Sequence, residues 1–327
     1  STGNSIYSNQ ASQDIPVNAP TILIAQAVSS TSCNLTWTDN SYNEDGFKID
    51  YKMGMADYTQ IDISPNITSY LHTDLLTETT YTYRIRAYNA ALGDSAYSNE
   101  SFATTLSAPT SFSGTVASAS LVDLVWVDNS GLEDGFKIEY KIGEQGTYQQ
   151  IDMVGPNITS YASSGLTDGT TYYYRVRAYN VSGGSDYATE FTVTTPINAP
   201  TNLSSVAIDS SRIELVWEDN SQAEEWYLIE NKTDPDAAYV QIDMVSANIS
   251  GWSHSSLTEE ATYYYRVRAG NSVAGDSDYS NQTGATVLKA PSALSATVIS
   301  SSQIDLIWTD NSGMETGFKV EHRTDGT

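Results

Sequence analysis

Hydrophobic and polar residues alternate along most of this chain, and a period of two predicts β-strands with one buried face. The segment that ends at Trp37 places Cys33, Leu35 and Trp37 on one side and polar residues between them. This pattern predicts a core position for Cys33. No part of the pattern requires a helix.

Two further segments of the chain show the same alternation. The segment from Phe47 directs Phe47, Ile49 and Tyr51 to one face and Lys48 and Asp50 to the other. The segment from Tyr81 directs Tyr81, Tyr83, Ile85 and Ala87 to the core and Arg84 and Arg86 to solvent. Both patterns are typical of a sheet with one buried face.

The strands belong to an internal repeat. One phrase recurs as WTDNSYNEDGFKIDYK, WVDNSGLEDGFKIEYK, WEDNSQAEEWYLIENK and WTDNSGMETGFKVEHR, from Trp37, Trp126, Trp217 and Trp308, at spacings of 89, 91 and 91 residues. A second recurs in register as YTYRIRAYN, YYYRVRAYN and YYYRVRAGN, from Tyr81, Tyr172 and Tyr263. A fixed period of this length indicates tandem copies of one structural unit.

The sequence motifs of the repeated unit resemble those of a known family. A tryptophan on strand B, an aromatic-rich strand C, a Leu-turn-Tyr corner before Y-x-Y-R-V-R-A and an Ala-Pro opening are similar to the fibronectin type III domain. The phrase DNSxxEDGF further resembles modules of prokaryotic secreted and cell-surface proteins. The resemblance implies an all-β chain of tandem seven-stranded Greek-key β-sandwiches, like immunoglobulin domains. It implies no single activity.

The Ala-Pro openings predict the module boundaries. We expect the end of a preceding module with its strand G at 1–18, modules at 19–107, 108–198 and 199–289, and a partial module with strands A to C at 290–327. The assignment of 1–18 rests on GNSIYSN from Gly3, which matches GDSAYSN from Gly93. The pattern favours a window on a longer repeated chain over complementation between subunits, because the two end fragments together lack residues matching about Gly54 to Ala91.

Charge and composition restrict the classes of partner that the chain can bind. The 40 Asp and Glu residues outnumber the 15 Lys and Arg residues, and a formal charge of −25 excludes a nucleic-acid backbone as partner. Cys33 is the single cysteine, so each core must hold without an intramolecular disulfide. The sequence contains no 18-residue apolar run, which predicts no membrane insertion in this segment.

The loop after each tryptophan carries oxygen ligands at short spacing, which Ca²⁺ prefers. The candidate ligands are Asp39, Asn40, Glu44 and Asp45 in the first module and Asp128, Asn129, Glu133 and Asp134 in the second. The alternative is that Asp and Asn cap their own turns. The D-x-D-x-D-G pattern of dedicated calcium loops is absent, and no other cofactor is predicted.

Two other features are candidate surface sites. N-x-S/T sequons recur in phase at Asn66, Asn157 and Asn248, in turns that a glycosyl transferase could reach. Trp226 stands where the other repeats have glycine, so it could stack on a sugar or a partner, or simply pack locally.

Catalytic groups are scarce. Cys33 occupies a core position, and His72, His254 and His322 lie in different modules without matched partners. The sequence therefore predicts no enzyme. We expect an extracellular or cell-surface structural and adhesive protein, a stalk or filament whose partners are copies of itself or other surface proteins and glycans. The alternative is a set of spacer modules in a secreted polysaccharide-degrading enzyme.

Overall fold

A computed structural model describes residues 15–323, and all regular structure in that range is β-strand. The first repeat contains β1 (Thr21–Ser29), β2 (Ser32–Thr38), β3 (Gly46–Met53), β4 (Thr59–Ile63), β5 (Ser69–His72), β6 (Thr80–Asn89), β7 (Gly93–Asp94) and β8 (Ser101–Thr104). The second contains β9 (Thr110–Ser118), β10 (Leu121–Val127), β11 (Gly135–Ile142), β12 (Gln149–Val154), β13 (Ser160–Ser164), β14 (Thr171–Asn180), β15 (Gly183–Gly184) and β16 (Phe191–Thr194).

The remaining strands follow the same order. The third repeat contains β17 (Thr201–Asp209), β18 (Arg212–Glu218), β19 (Trp226–Lys232), β20 (Val240–Ser246), β21 (Gly251–His254), β22 (Ala261–Asn271), β23 (Gly275–Asp276) and β24 (Thr283–Val287). The fourth contains β25 (Ser292–Ser300) and β26 (Gln303–Thr309). The predicted strand G near Gly3 lies outside the described residues.

Contacts divide the chain into two compact units. Within the described residues, the first comprises 15–115, 123–162 and 172–192, and the second comprises 116–122, 163–171 and 193–323. The boundary passes through the second repeat, whose strands therefore fall in both units. No helix in the described range is long and apolar enough to cross a membrane.

In the first unit, the first repeat is a two-sheet sandwich. Strands β1, β2 and β5 form one sheet, and β4, β3, β6, β7 and β8 form the other. The core between them contains Cys33, Leu35, Trp37, Phe47, Ile49, Tyr81, Tyr83, Ile85 and Ala87, as the alternation predicts. Trp37 packs edge-on against Phe47 with ring centroids 5.6 Å apart. Seven principal strands and the two-residue β7 thus match the predicted Greek-key sandwich.

The first unit also joins two repeats through one sheet. Strand β1 pairs in parallel with β15 at Ala27 and Gly183, so a sheet continues in the order β12, β11, β14, β15, β1, β2, β5. The Ala27 N–H donates to the Ser182 carbonyl at 2.8 Å. The outer strand of one repeat is therefore covered by the next, which removes part of an exposed edge.

In the second unit, the third repeat is built in the same way. Strands β17, β18 and β21 form one sheet, and β20, β19, β22, β23 and β24 form the other. Ile213, Leu215, Trp217, Tyr227, Ile229, Tyr265 and Val267 fill its core.

The fourth repeat departs from the prediction. Residues 310–323 contain no strand, although the sequence predicts strand C there. Ile304 and Leu306, which stand at the positions of the core residues Cys33 and Leu35, are 61% and 38% exposed, and Trp308 is half-buried. In the first and third repeats, strand C pairs with the strand that carries the tyrosine row, and the described residues of the fourth repeat include no such strand.

A buried histidine sits in the core of the first repeat. His72 is 8% exposed, and its Nδ1 lies 3.1 Å from the Tyr83 hydroxyl. Burial lowers the pKa of His72, although Asp74 opposes the shift. Burial also raises the pKa of Cys33 to about 11, so its thiol stays protonated and unreactive in the folded state.

The first prediction concerns strain at the start of β1. Ile22 has φ = 56°, a region that β-branched residues rarely adopt, and its side chain is 65% exposed. The third repeat has Asn202 at this position with φ = 54°. We expect Ile22→Asn to stabilise the first repeat by about 1 kcal/mol, since asparagine tolerates this backbone. Pulsed thiol labelling of Cys33 in denaturant measures that stability.

Ile24→Asn is the matched control, because Ile24 is also exposed on β1 but has no positive φ. It should lower the stability slightly through β-propensity. Equal effects of the two substitutions would show that backbone strain at Ile22 contributes nothing.

The second prediction concerns pH. The folded first repeat holds His72 neutral, so below pH about 6.5 the unfolded chain binds a proton that the folded chain does not. Stability should be full above that pH and fall by up to about 1.4 kcal/mol per pH unit below it. His72→Ser, which copies Ser163 of the second repeat, should remove this component. Hydrogen-exchange protection factors of β2 and β6 at pH 7.5 and 5.5 test it; equal pH dependence in both proteins would contradict it.

Candidate functional site

The loop between β2 and β3, called the BC loop (residues 39–45), holds its polar side chains in place with backbone hydrogen bonds. The Ser41 N–H donates to Asp39 Oδ1 at 3.0 Å. Asn40 Nδ2 donates to the Ala19 carbonyl at 2.9 Å and to Thr21 Oγ1 at 3.0 Å. Asp39 therefore closes its own turn, while Asn40 fastens the loop to the linker before β1.

The two acidic residues that follow point to other segments. Glu44 is 8% exposed, and its Oε1 accepts the Asn66 N–H at 3.3 Å. Asp45 Oδ2 accepts the Ala90 N–H at 2.7 Å. One acid thus holds the turn before β5, and the other holds the turn between β6 and β7.

The second repeat uses the same bonds at the predicted positions. Asp128 accepts the Ser130 N–H at 2.9 Å, Asn129 donates to the Ala108 carbonyl at 2.9 Å, Glu133 accepts the Asn157 N–H at 3.3 Å, and Asp134 accepts the Val181 N–H at 2.9 Å. In neither repeat do the four side chains converge on one point, since each binds a different segment.

The geometry offers calcium few ligands. Within residues 15–323, no three His, Cys, Asp or Glu side chains come together in a way that could hold a metal ion. Oε2 of Glu44, and likewise of Glu133 and Glu224, is buried without a hydrogen-bond partner in the described part of the chain. One such oxygen per repeat falls short of the six to eight ligands that Ca²⁺ takes. The calcium assignment stays a prediction.

The in-phase sequons occupy one strained turn. Asn66, Asn157 and Asn248 are exposed and have φ of 60°, 59° and 61°. Their N–H groups donate to Glu44, Glu133 and Glu224, respectively. Asparagine tolerates positive φ better than most residues, so the turn alone explains its recurrence. Glycosylation of these exposed side chains stays a prediction.

Trp226 is half-buried and lies on the backbone of the opposite strand. It pairs with Gly270, where a Cβ atom would come within 2.0 Å of Trp226 Nε1. In the first repeat the sizes are reversed, because Gly46 pairs with Tyr88. The aromatic ring has therefore moved from one strand of the pair to the other, which gives Trp226 a packing role. A ligand on its exposed edge stays a prediction.

The sequence reasoning missed a buried acid on the outer face of β3. Asp50, expected to face solvent, is 6% exposed. Its Oδ2 accepts the Tyr97 hydroxyl at 2.6 Å and an N–H of Arg84 at 3.1 Å. The Arg84 guanidinium lies between the rings of Tyr58 and Tyr97, at 3.8 and 3.9 Å from their centroids. These two rings flank the guanidinium on both faces, while the Arg84 side chain stays 27% exposed.

The same cluster recurs in the next two repeats. Its members are Glu139, Arg175, Tyr148 and Tyr187 in the second repeat and Glu230, Arg266, Tyr239 and Tyr279 in the third. Each carboxylate is matched by its own arginine and tyrosine, so the cluster is self-neutralised. The available sequence signal was a recurring acid on β3, β11 and β19, opposite a recurring arginine on β6, β14 and β22.

The third prediction concerns calcium removal. An ion present at 100 times its Kd would add about 2.7 kcal/mol to the stability of each repeat that binds it. Because the BC-loop side chains already bind the backbone, we expect the same melting temperature in calcium and in excess chelator. Glu44→Gln should lower the melting temperature equally in both, since it weakens the bond to Asn66. A rise with calcium that Glu44→Gln and Asp45→Asn abolish would instead establish the metal site.

Several proteins of animals and one of a bacterium are similar to this chain. It is 30% identical over 210 residues to bovine receptor-type tyrosine-protein phosphatase F, covering 60% of this chain and 11% of that protein. It is 26% identical over 309 residues to human tenascin-R, covering 91% and 22%. It is 25% identical over 276 residues to exoglucanase B of Cellulomonas fimi, covering 76% and 24%. The chain thus spans between about a tenth and a quarter of the length of these relatives.

Among solved structures, the FN1-FN3 domains of chicken CNTN1 match 84% of this chain and all of that one, at 22% identity and a TM-score of 0.27. The family model of the fibronectin type III domain matches residues 18–104 and 107–194, slightly more than half of the chain. Because this family model matches more than half of the chain, the chain belongs to the fibronectin type III family.

Proposed function

We propose that this chain is a non-catalytic extracellular spacer, part of a surface stalk or filament that holds adhesive surfaces at a set distance. The observation that carries this proposal is the burial of the linkers between repeats. Its partners are other copies of the chain or other surface proteins and glycans. Similarity to a receptor-type phosphatase and to tenascin-R supports a surface role.

The first linker has no slack. Only residues 105–109 separate β8 from β9, and Thr105 and Leu106 are fully buried. The Thr105 N–H donates to the Thr79 carbonyl at 3.0 Å, and its hydroxyl donates to the Leu76 carbonyl at 2.6 Å. A linker fixed in this way cannot act as a flexible tether.

The second linker repeats this arrangement. Thr195 is fully buried, Ile197 is 4% exposed, and the Thr195 N–H donates to the Thr170 carbonyl at 3.0 Å. The Thr195 hydroxyl donates to the Thr167 carbonyl at 2.7 Å. Equivalent threonines, Thr105 and Thr195, therefore anchor the two linkers, each to the repeat that precedes it.

A second contact supports the first joint. The Asp186 N–H donates to Ser30 Oγ at 3.0 Å, next to the pairing of β1 with β15. The buried linker and this contact hold the first and second repeats together at two places. A hinge motion between the repeats must break both. This supports a spacer of defined reach.

The alternative is a spacer within a secreted polysaccharide-degrading enzyme. Similarity to exoglucanase B over 76% of the chain favours it. Surface biotinylation of intact source cells, followed by mass spectrometry of the complete polypeptide, separates the two. A polypeptide at the surface without a catalytic domain supports the stalk, and a released one with a glycanase domain supports the alternative.

The fourth prediction tests the spacer itself. Spin labels at Met55→Cys and Glu144→Cys, in a Cys33→Val background that copies Val122, report the distance between the first two repeats. Because the linker is buried, we expect a single narrow distance distribution by pulsed electron paramagnetic resonance. The control inserts Gly-Ser-Gly-Ser between Ser107 and Ala108 and should broaden the distribution. A distribution as broad in the parent as in the control would rule the spacer role out.

A further inference from the structure

One acidic side chain reaches across each joint between repeats. It lies in the turn before the tyrosine-rich strand, called here the EF turn (residues 73–79, 165–170 and 255–260). Glu78 Oε1 accepts the Ser107 N–H at 2.5 Å and the Ser130 hydroxyl at 2.9 Å. Glu78 Oε2 accepts the Gly131 N–H at 3.0 Å. The carboxylate thus binds the linker and the BC loop of the next repeat.

The other two joints contain the same bonds. Asp168 Oδ2 accepts the Asn198 N–H at 3.2 Å and the Ser221 hydroxyl at 2.6 Å. Glu260 Oε1 accepts the Lys289 N–H at 3.2 Å and the Ser312 hydroxyl at 2.8 Å. In every case, the donors are a linker amide and the serine of the DNS phrase.

The acid is present at the cost of backbone strain. Glu78 and Glu260 have φ of 52° and 60°. Residues other than glycine and asparagine are disfavoured in this left-handed region. The second repeat has Gly169 at this position with φ = 59°, and its acid is Asp168, one residue earlier. Two different local sequences therefore deliver a carboxylate to the same pair of donors. Strain retained at a contact indicates a role for that contact.

The electrostatics agree with this geometry. Burial opposes the ionisation of Glu78, but the Gly131 and Ser107 N–H groups and the Ser130 hydroxyl together lower its pKa. The Ser312 hydroxyl and the Lys289 N–H lower the pKa of Glu260 in the same way. Glu78 and Glu260 are therefore held ionised, and bonds to an ionised acceptor are stronger than neutral ones.

We propose that the DNS serine and the linker amide form a carboxylate-binding site, and that the EF-turn acid of the preceding repeat is its partner. Docking of this acid fixes the orientation of one repeat on the next. The site deepens the proposed spacer function and rests on it. It also gives the recurring serine of the DNS phrase a role that neither core packing nor metal binding supplies.

The fifth prediction uses Glu78→Gly, which removes the carboxylate and the strain together. We expect the first repeat to keep or gain stability, measured by Cys33 labelling in the chain that retains this thiol. In the Met55 and Glu144 spin-labelled pair, a broad component should appear, because losing three bonds to a charge lowers the docked-to-undocked ratio by about tenfold or more. A merely local role for Glu78 would change the stability of the first repeat and leave the distance distribution as it was.

The second repeat supplies the matched control. Thr77→Asp combined with Glu78→Gly transplants its arrangement into the first EF turn and should restore the narrow distribution. Ser130→Ala removes a donor on the other side of the joint and should add a broad component without disturbing Cys33. If Glu78→Gly unfolds the first repeat, Ser130→Ala by itself tests the docking site.

Each outcome is decisive. A narrow distribution in both Glu78→Gly and Ser130→Ala would overturn the docking site while leaving the spacer function intact. A broad distribution in the parent protein would overturn the spacer function and the docking site with it.

Discussion

Each complete repeat must bury its own small core, and the rest of the structure follows from that constraint. A unit of about ninety residues has little interior, and with Cys33 as the single cysteine it has no cross-link to compensate. The row formed by Trp37, Phe47 and Tyr83 uses large rings to fill this interior with few residues. Because alternate positions serve the core, the positions between them are left for the surface contacts of each repeat.

The sequence predicted the fold well because its strongest signals are local. Period-two alternation assigned Cys33 and Tyr83 to the core, and the spacing of the repeated phrases identified tandem sandwiches. The predictions that failed concerned residues whose surroundings are supplied by segments distant in the sequence. Asp50 alternates like a solvent-facing residue, but Arg84 and Tyr97, which lie 34 and 47 residues away in the sequence, bind it and bury it. The linkage of Glu44 to Asn66 likewise spans two turns that no single phrase contains.

The fourth repeat shows the limit of local pattern most directly. Its phrase from Trp308 closely matches the others, yet Ile304 and Leu306 remain exposed. Their counterparts Ile213 and Leu215 in the third repeat are buried by strands that occur later in that repeat. Alternation therefore specifies which side a residue faces, whereas burial depends on the presence of the opposing sheet.

The exchange of sizes between Trp226 and Gly270 restricts how these repeats can recombine. A crossover that exchanged β3 with β11 would keep a glycine opposite a tyrosine, since Gly46 pairs with Tyr88 and Gly135 pairs with Tyr179. A crossover with the third repeat would bring Trp226 and a tyrosine into one space, or leave two glycines facing a void. Exchange of these strands would therefore preserve the packing between the first and second repeats and disturb it with the third, although all three share one fold.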